Sequence, residues 1–409
     1  MQWRGPYFNG SSDETGLVGK WSVDKNVKWS AELPGTGAST PIICKSRVFV
    51  SSTDKASKDL LGMCFDSATG EELWRKKLST AIRTIARKGD MAAPSACTDG
   101  DRVYFTFENG VIAALDYSGE LIWKRKLEEE YGKFTIKFGY SSTPLLFDGI
   151  MFVAVFRHPD QYLAEDGKAR DSFILVIDPV TGQNIYKQPR QFPEALDETN
   201  DSYISPVPFV HNGRKEILVN AADYLTAHDP ATGKELWRYK YCLKPHRWGR
   251  NIASVSVGDG MIFGVRARGE GTYVINGGAT GLVTEKDLAW TNDAQGPDVS
   301  TPLIYKGRLY VLDDRKKKTV TCYDPKTGNQ IWKYKLGGNA PWWASLTAGD
   351  DKIYIINEQG LVVVFKAGSE KYEELCRVDL NDKKSQASIA IADKALFIRT
   401  GSRLLKIQK

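Results

Sequence analysis

Two short stretches hold the side chains best suited to grip a ligand. HRWGRN at 246–251 carries Arg247, Trp248, Arg250 and Asn251, and PWW at 341–343 sets Trp342 beside Trp343. Tyr140 and Tyr203 belong to the same set by their place in a repeat described below. Arginine presents a planar fork of N–H donors to an anion, and indole and phenol rings present flat faces to a sugar. The chemistry these residues offer is recognition: stacking on a saccharide or holding an anionic group. The alternative for each Trp is packing between neighbouring elements. A second group, Arg157, His158, Asp160 and Arg170, lies in the long segment VFRHPDQYLAEDGKARDS at 155–172. Long loops on a rigid scaffold carry function, although a solvated charged loop is the plainer reading.

Catalytic chemistry is harder to write from these residues, and no catalytic residue is assigned. The four histidines accompany no recognisable nucleophile motif. The six cysteines, Cys44, Cys64, Cys97, Cys242, Cys322 and Cys376, form no C-x-x-C pair. The histidines lack ligand spacing, so no metal site is expected. No dense acidic loop offers a calcium cage.

Composition narrows the class. The chain has 409 residues, 42% hydrophobic and 11% aromatic, enough for a large core. Fifty-six Lys and Arg oppose 50 Asp and Glu, and DDRKKKT at 313–319 is the only tight basic run. A nucleic-acid binder concentrates its charge on one face, so no nucleic-acid partner is expected. No apolar run reaches the roughly 18 residues of a membrane span. Met1 is followed at once by QWRGP. The expectation is a periplasmic or secreted protein whose signal peptide has been removed.

The elements that must position these residues come from a repeat. DSATGEELWRKK, DPATGKELWRYK and DPKTGNQIWKYK begin at Asp66, Asp229 and Asp324. Each belongs to a longer unit: S-[TS]-P, an alternating strand, a loop, a second strand ending in Asp, a Thr-Gly turn and a strand ending in Trp. Eight units fit, with the proline position at Pro41, Pro94, Pro144, Pro206, Ser254, Pro302, Leu346 and Ser388. In the third, Tyr186 replaces Trp, and the fifth and seventh are degraded. Four short strands per unit at this spacing predict propeller blades. The eighth unit lacks an outer strand, and VKWSAEL at 27–33 can supply it beside 404–407, removing an open edge. The expected fold is all-β: an eight-bladed β-propeller of four-stranded antiparallel blades, one domain over 1–409. Asp accepts turn N–H groups, Gly gives the turn its positive φ, and Trp packs on the next blade.

Ligands of such a ring bind at the mouth of its central channel. Three residues before the proline position stand Ala38, Met91, Ser141, Tyr203, Asn251, Val299, Trp343 and Ser385. One further back stand Gly37, Asp90, Tyr140, Ser202, Arg250, Asp298, Trp342 and Lys384. The cysteines take equivalent places in different units, Cys64 with Cys322 and Cys44 with Cys97. All six are expected to be buried and unbonded.

The Asp, Thr-Gly and Trp pattern resembles the tryptophan-docking repeat of the PQQ-like quinoprotein propellers, over nearly the whole chain. The WRGP opening looks like that of secreted bacterial members. For the dehydrogenases of that superfamily the resemblance implies PQQ, a calcium ion held by Glu and Asn, a catalytic Asp and a vicinal Cys-Cys disulfide. This chain has no Cys-Cys pair, so no cofactor is expected, with PQQ and calcium as the alternative. The periplasmic scaffold lipoprotein of outer-membrane β-barrel assembly is also similar, although no lipobox Cys stands at this N-terminus. The expected role is a non-catalytic binding or scaffolding propeller, probed by a protein partner or a small polar or saccharide ligand. It is expected to be a monomer. The alternatives are a PQQ-dependent dehydrogenase of an alcohol or sugar and a carbohydrate-binding accessory protein.

Overall fold

The computed structural model describes residues 2–81, 90–158, 171–190, 192, 194–242, 247–293 and 296–409. Within these, eight sheets follow one another around a ring, antiparallel but for one added strand in blade four, and in chain order from the inner strand outward except at the outer place of blade eight. Blade one runs Ile42–Cys44, Arg47–Asp54, Asp59–Asp66 and Glu72–Thr80. Blade eight takes Ala390–Ala392, Ala395–Arg399 and Arg403–Ile407, and its outer place is filled by Val27–Glu32. That strand lies antiparallel to 403–407, with Val27 opposite Ile407 and Glu32 opposite Arg403. The second and third strands of each blade are buried on both faces. The core is therefore a chain of clusters between blades rather than one centre.

The repeated phrase is an inter-blade joint. The indole N–H of Trp29 donates to the Ser67 carbonyl at 3.1 Å, Trp74 to Tyr117 at 3.0 Å and Trp123 to Pro179 at 2.9 Å. Tyr186 substitutes with its hydroxyl, which donates to Pro230 at 2.8 Å. In every case the acceptor is the residue after the repeat Asp of the next blade. Gly70, at φ 77°, lies under the Trp29 ring, where a Cβ would come within 2.5 Å of it. The Asp66 carboxylate accepts the N–H groups of Ala68 and Thr69 at 2.9 and 3.0 Å. These bonds, that of Thr69 first, hold its pKa below the usual carboxylate range.

Blade five corrects the sequence reading. Its Thr-Gly lies at 280–281, but Gly281–Val283 leaves the blade and pairs in parallel with the outer strand of blade four. The true outer strand is Leu288–Asn292, and its Trp290 donates to Pro325 at 2.8 Å. Blade five thus keeps its docking tryptophan. The added strand covers Trp237, which is 1% exposed and donates instead to Glu216 at 2.9 Å. In blade seven Cys376 takes the Trp register opposite Val364. The N-terminal segment compensates there, because Trp21 packs into the same cluster and its backbone N–H meets the Cys376 sulfur at 3.4 Å.

A ring of hydrogen bonds closes the channel wall. The backbone N–H of Thr40 meets the Ser95 hydroxyl at 2.9 Å, Ser95 meets Thr143 at 3.0 Å, and Thr143 meets Ser205 at 2.9 Å. Ser205 continues to Ser254 at 2.9 Å, Ser254 to Thr301 at 3.3 Å and Thr301 to Ser345 at 3.0 Å. Ser345 meets Ser388 at 3.2 Å, and Ser388 returns to Thr40 at 3.1 Å. One such bond crosses each of the eight seams.

This ring resets the register. The residue after each ring hydroxyl is the true proline position: Pro41, Ala96, Pro144, Pro206, Val255, Pro302, Leu346 and Ile389. Strand pairing agrees, since Ile42–Phe49, Cys97–Tyr104, Ser256–Phe263 and Ala390–Phe397 are equivalent pairs. Pro94, Ser254 and Ser388 were therefore misplaced by one or two residues. What the seam requires is a hydroxyl, and proline merely often follows it. Cys44 and Cys97 consequently stand at different places in their blades. No two of the six cysteines are joined by a disulfide among the described residues, and Cys64, Cys97 and Cys322 are buried while the other three are half-buried. Burial pushes the Cys64 thiol up to about 12.

Candidate functional site

The corrected register identifies the wall of the channel. Three residues before each true proline position stand Ala38, Ala93, Ser141, Tyr203, Ile252, Val299, Trp343 and Gln386. All eight line the axial void. Met91, Asn251 and Ser385, expected there from sequence, do not. At the mouth the void widens into a cavity of about 180 Å³, to which Asp90, Phe138, Arg250, Asp298 and Arg315 also contribute. Below it a second space of about 130 Å³ runs down the axis to Trp3. The floor is closed by the N-terminal segment. Trp3 donates to the Ser388 hydroxyl at 3.4 Å, and buried Arg4 donates to the carbonyls of Leu346 at 2.9 Å and Asn9 at 2.6 Å. Burial pulls the Arg4 guanidinium down to about 9. The channel is a blind well.

Charge pairs brace the rim. Arg250 is 7% exposed, donates to Glu198 at 3.3 Å and lies 5.1 Å from the centre of the Phe138 ring. Lys137 takes the other Glu198 oxygen. Across the mouth Arg315 meets Asp298 at 2.5 Å. Asp314 accepts the N–H groups of Val299 and Ser300 at 2.6 and 2.8 Å, which fixes the strand entry that carries Asp298. Burial pushes Asp314 to about 7. Among the described residues, three polar atoms of this wall are buried without a hydrogen-bond partner: Arg250 Nε, Trp343 Nε1 and Asp298 Oδ1.

The structure gathers some of the expected site residues and separates others. Tyr203, Arg250 and Trp343 meet in the cavity. Trp342 points the other way, fully buried, with its N–H on the Gly337 carbonyl at 2.9 Å. Tyr140 is 1% exposed behind the wall, its ring 5.0 Å from that of Phe134. Asn251 is buried too, and its carbonyl accepts the Tyr203 N–H at 3.0 Å. Arg247 and Trp248 are exposed on the rim, where Arg247 pairs with Asp197 at 3.0 Å and Lys137 lies 5.0 Å from the Trp248 ring. Arg157 is buried and clamps the carbonyls of Tyr131 and Gly132, both at 2.9 Å. His158 meets Asp197 at 3.1 Å. Asp160, Arg170 and His246 lie outside the described residues.

The sequence profile described as outer membrane protein assembly factor BamB matches residues 10–164, 58–334 and 221–371. The chain belongs to this family. No curated protein matches it by sequence. Among solved structures, a europium-containing methanol dehydrogenase superposes with a TM-score of 0.71 at 12% identity, over 98% of this chain and 90% of that one. BamB from Moraxella catarrhalis superposes at 0.62 and 11% identity, over 94% and 97%. The quinohemoprotein alcohol dehydrogenase from Comamonas testosteroni gives 0.66 at 12%, over 99% and 79%. At these identities the likeness carries the fold, and that fold serves both enzymes and an assembly factor.

Sequence reasoning on this BamB-family propeller missed Phe138, Lys137, Glu198 and Gln386. Lys137, Phe138 and Glu198 sit in insertions between blades, where no repeat register reaches. Gln386 was hidden by the slip at blade eight. Arg315 stood in view within DDRKKKT but had no assigned direction.

Asp201 gives the rim a measurable signature. It is fully buried, accepts the Lys137 backbone N–H at 3.1 Å, and is pushed by burial to about 7. The unfolded chain releases this proton near 4, so the native state holds one more proton between those values. Stability therefore falls as pH rises from about 4 to 7 and is level above. Asp201→Asn should remove this slope. Relative to the parent it should gain on the order of 4 kcal/mol between pH 4 and pH 8, at roughly 1.4 kcal/mol per pKa unit. Urea unfolding at the two pH values checks this, and parallel profiles would refute it.

Proposed function

We propose that this BamB-family propeller is a non-catalytic binding module of the periplasm or cell exterior. It holds a small polar group at the channel mouth, offered by a free ligand or by a protein partner. The three unpartnered polar atoms on the cavity wall carry this reading. Each buried donor or acceptor left unpaired costs about 1–3 kcal/mol, and a bound molecule that pairs them recovers that cost. Trp343 and Phe138 add faces for stacking, and Arg250 adds an N–H for an oxyanion. The exposed Arg247 and Trp248 extend the surface outward for a larger partner.

The residues present do not fit a quinone held by calcium. The cavity of about 180 Å³ is below the roughly 300–1,000 Å³ of sites for drug-sized ligands. Calcium takes about 6–8 oxygens, and among the described residues no three His, Cys, Asp or Glu side chains are grouped to hold a metal. Asp298 has only Oδ1 to offer, because its Oδ2 is paired with Arg315.

The test uses glycan and peptide arrays with the intact protein and the double variant Arg250→Gln, Trp343→Ala. The intact protein should retain a polar ligand that the variant loses, while the variant keeps its melting transition within a few degrees. A bound-quinone absorbance after addition of PQQ and Ca²⁺ would instead support the dehydrogenase reading. Equal retention by both proteins would remove the site from the mouth.

A further inference from the structure

We propose that the hydroxyl ring below the mouth is an anion site on the propeller axis, selective for a halide or a carboxylate. Arg250 and Asp298 of the mouth do not line its space, and it stands whether or not they bind a ligand. A hydroxyl has one proton to donate and two lone pairs. At every seam the ring hydroxyl accepts a backbone N–H, as Ser95 does from Thr40 and Thr143 does from Ser95. None of the eight has a protein acceptor for its own proton among the described residues. Serines close by behave otherwise: Ser39 donates to the Ser51 carbonyl at 3.2 Å, and Ser51 to that of Pro94 at 3.1 Å. The ring therefore has protons to give.

Those protons have one common outlet. Thr40, Ser95, Thr143, Ser205, Ser345 and Ser388 line the same axial space of about 130 Å³. Among the described residues no carboxylate lines it. Below, Arg4 packs 5.7 Å from the centre of the Trp3 ring, which forms the floor. Arg4 is 3% exposed, its described partners are neutral carbonyls, and no carboxylate pairs with it among the described residues. A buried cation without a counter-charge is costly. An anion in the axial space accepts the ring protons, and Arg4, which lines two other spaces that share Trp3 with this one, adds positive potential from a distance. Converging backbone N–H groups make anion-binding concavities elsewhere in proteins, and converging hydroxyls offer an anion the same kind of neutral donor. Entry is through the mouth, since the floor is closed.

Crystals of the intact protein soaked in sodium bromide, and separately in sodium formate, test this. The expected result is an anomalous bromide peak on the axis at the level of Thr143 and Ser205, or a formate carboxylate there. The first outcome identifies a halide site and the second a carboxylate site. In solution, chloride-35 line broadening should report the same site. It should be at least about tenfold weaker in Thr143→Val, Ser205→Ala, the equivalent of one lost hydrogen bond, and retained in Thr143→Ser. The Arg250→Gln protein, altered only at the mouth, should keep the bromide peak. Water alone within the ring in both soaks, or bromide only beside Arg250, would overturn the proposal.

Discussion

Removing residues 1–34 should yield a chain that no longer unfolds cooperatively. Three separate functions of this segment disappear together. Val27–Glu32 is the outer strand of blade eight and joins the two ends of the ring through its pairing with 403–407. Trp29, 9% exposed, docks on the Ser67 carbonyl of blade one. Leu17, Val18 and Trp21 are buried in the cluster shared by blades seven and eight, where Cys376 stands in place of a docking Trp. Truncating one buried Trp costs about 3–5 kcal/mol. Two of them with the accompanying aliphatics reach the roughly 5–15 kcal/mol net stability of a whole domain. The strand 403–407 would also become an open edge prone to pairing with other chains. Near-UV circular dichroism and the urea midpoint of 35–409 are the measurements, and an unchanged midpoint would refute the closure. Removing only 1–26 should give an intermediate loss, because that chain keeps Val27–Glu32 and Trp29.

Adjacent tryptophans should respond oppositely to the same substitution. Trp342→Ala should destabilise by about 3–5 kcal/mol, as for a large core aromatic. The ring is fully buried in the cluster between blades six and seven, and its N–H is bonded to Gly337. Trp343→Ala should cost only about 1 kcal/mol, a typical value for a position without a packing role. Its ring faces the cavity and its N–H has no partner among the described residues. Denaturant midpoints of the two variants decide the matter. A loss at Trp343 as large as that at Trp342 would make Trp343 a plug of the channel and remove it from the binding surface.

The repeated Asp, Thr-Gly and Trp were legible because their physics is local. Asp66 caps its own turn, Gly70 supplies a positive φ, and Trp29 stands at a regular distance from both ends of its strand. Local rules repeated eight times are enough to announce eight blades, and strand alternation shows that Trp342 and Trp343 face opposite ways. Alternation cannot say which of them faces inward. That depends on the seam between blades, where a hydroxyl rather than a proline sets the register. The slips at blades two, five and eight moved Met91, Asn251 and Ser385 into a wall that belongs to Ala93, Ile252 and Gln386.

Blade five shows the same limit. Gly281 follows Thr280 as in the turns of blades one, three, four and six, yet Gly281–Val283 pairs with blade four and leaves Trp290 to the strand after it. Arg250 and Arg157 are the same residue type in similarly charged segments. One borders the well beside Glu198, and the other is consumed by the carbonyls at 131–133. Sequence alone determined what each blade is made of, because turns, strands and docking contacts follow from residues close in the chain. The tertiary structure alone decided the well, because its wall takes one residue from each of eight blades and its floor from the N-terminal segment. A side chain's direction there depends on partners hundreds of residues away.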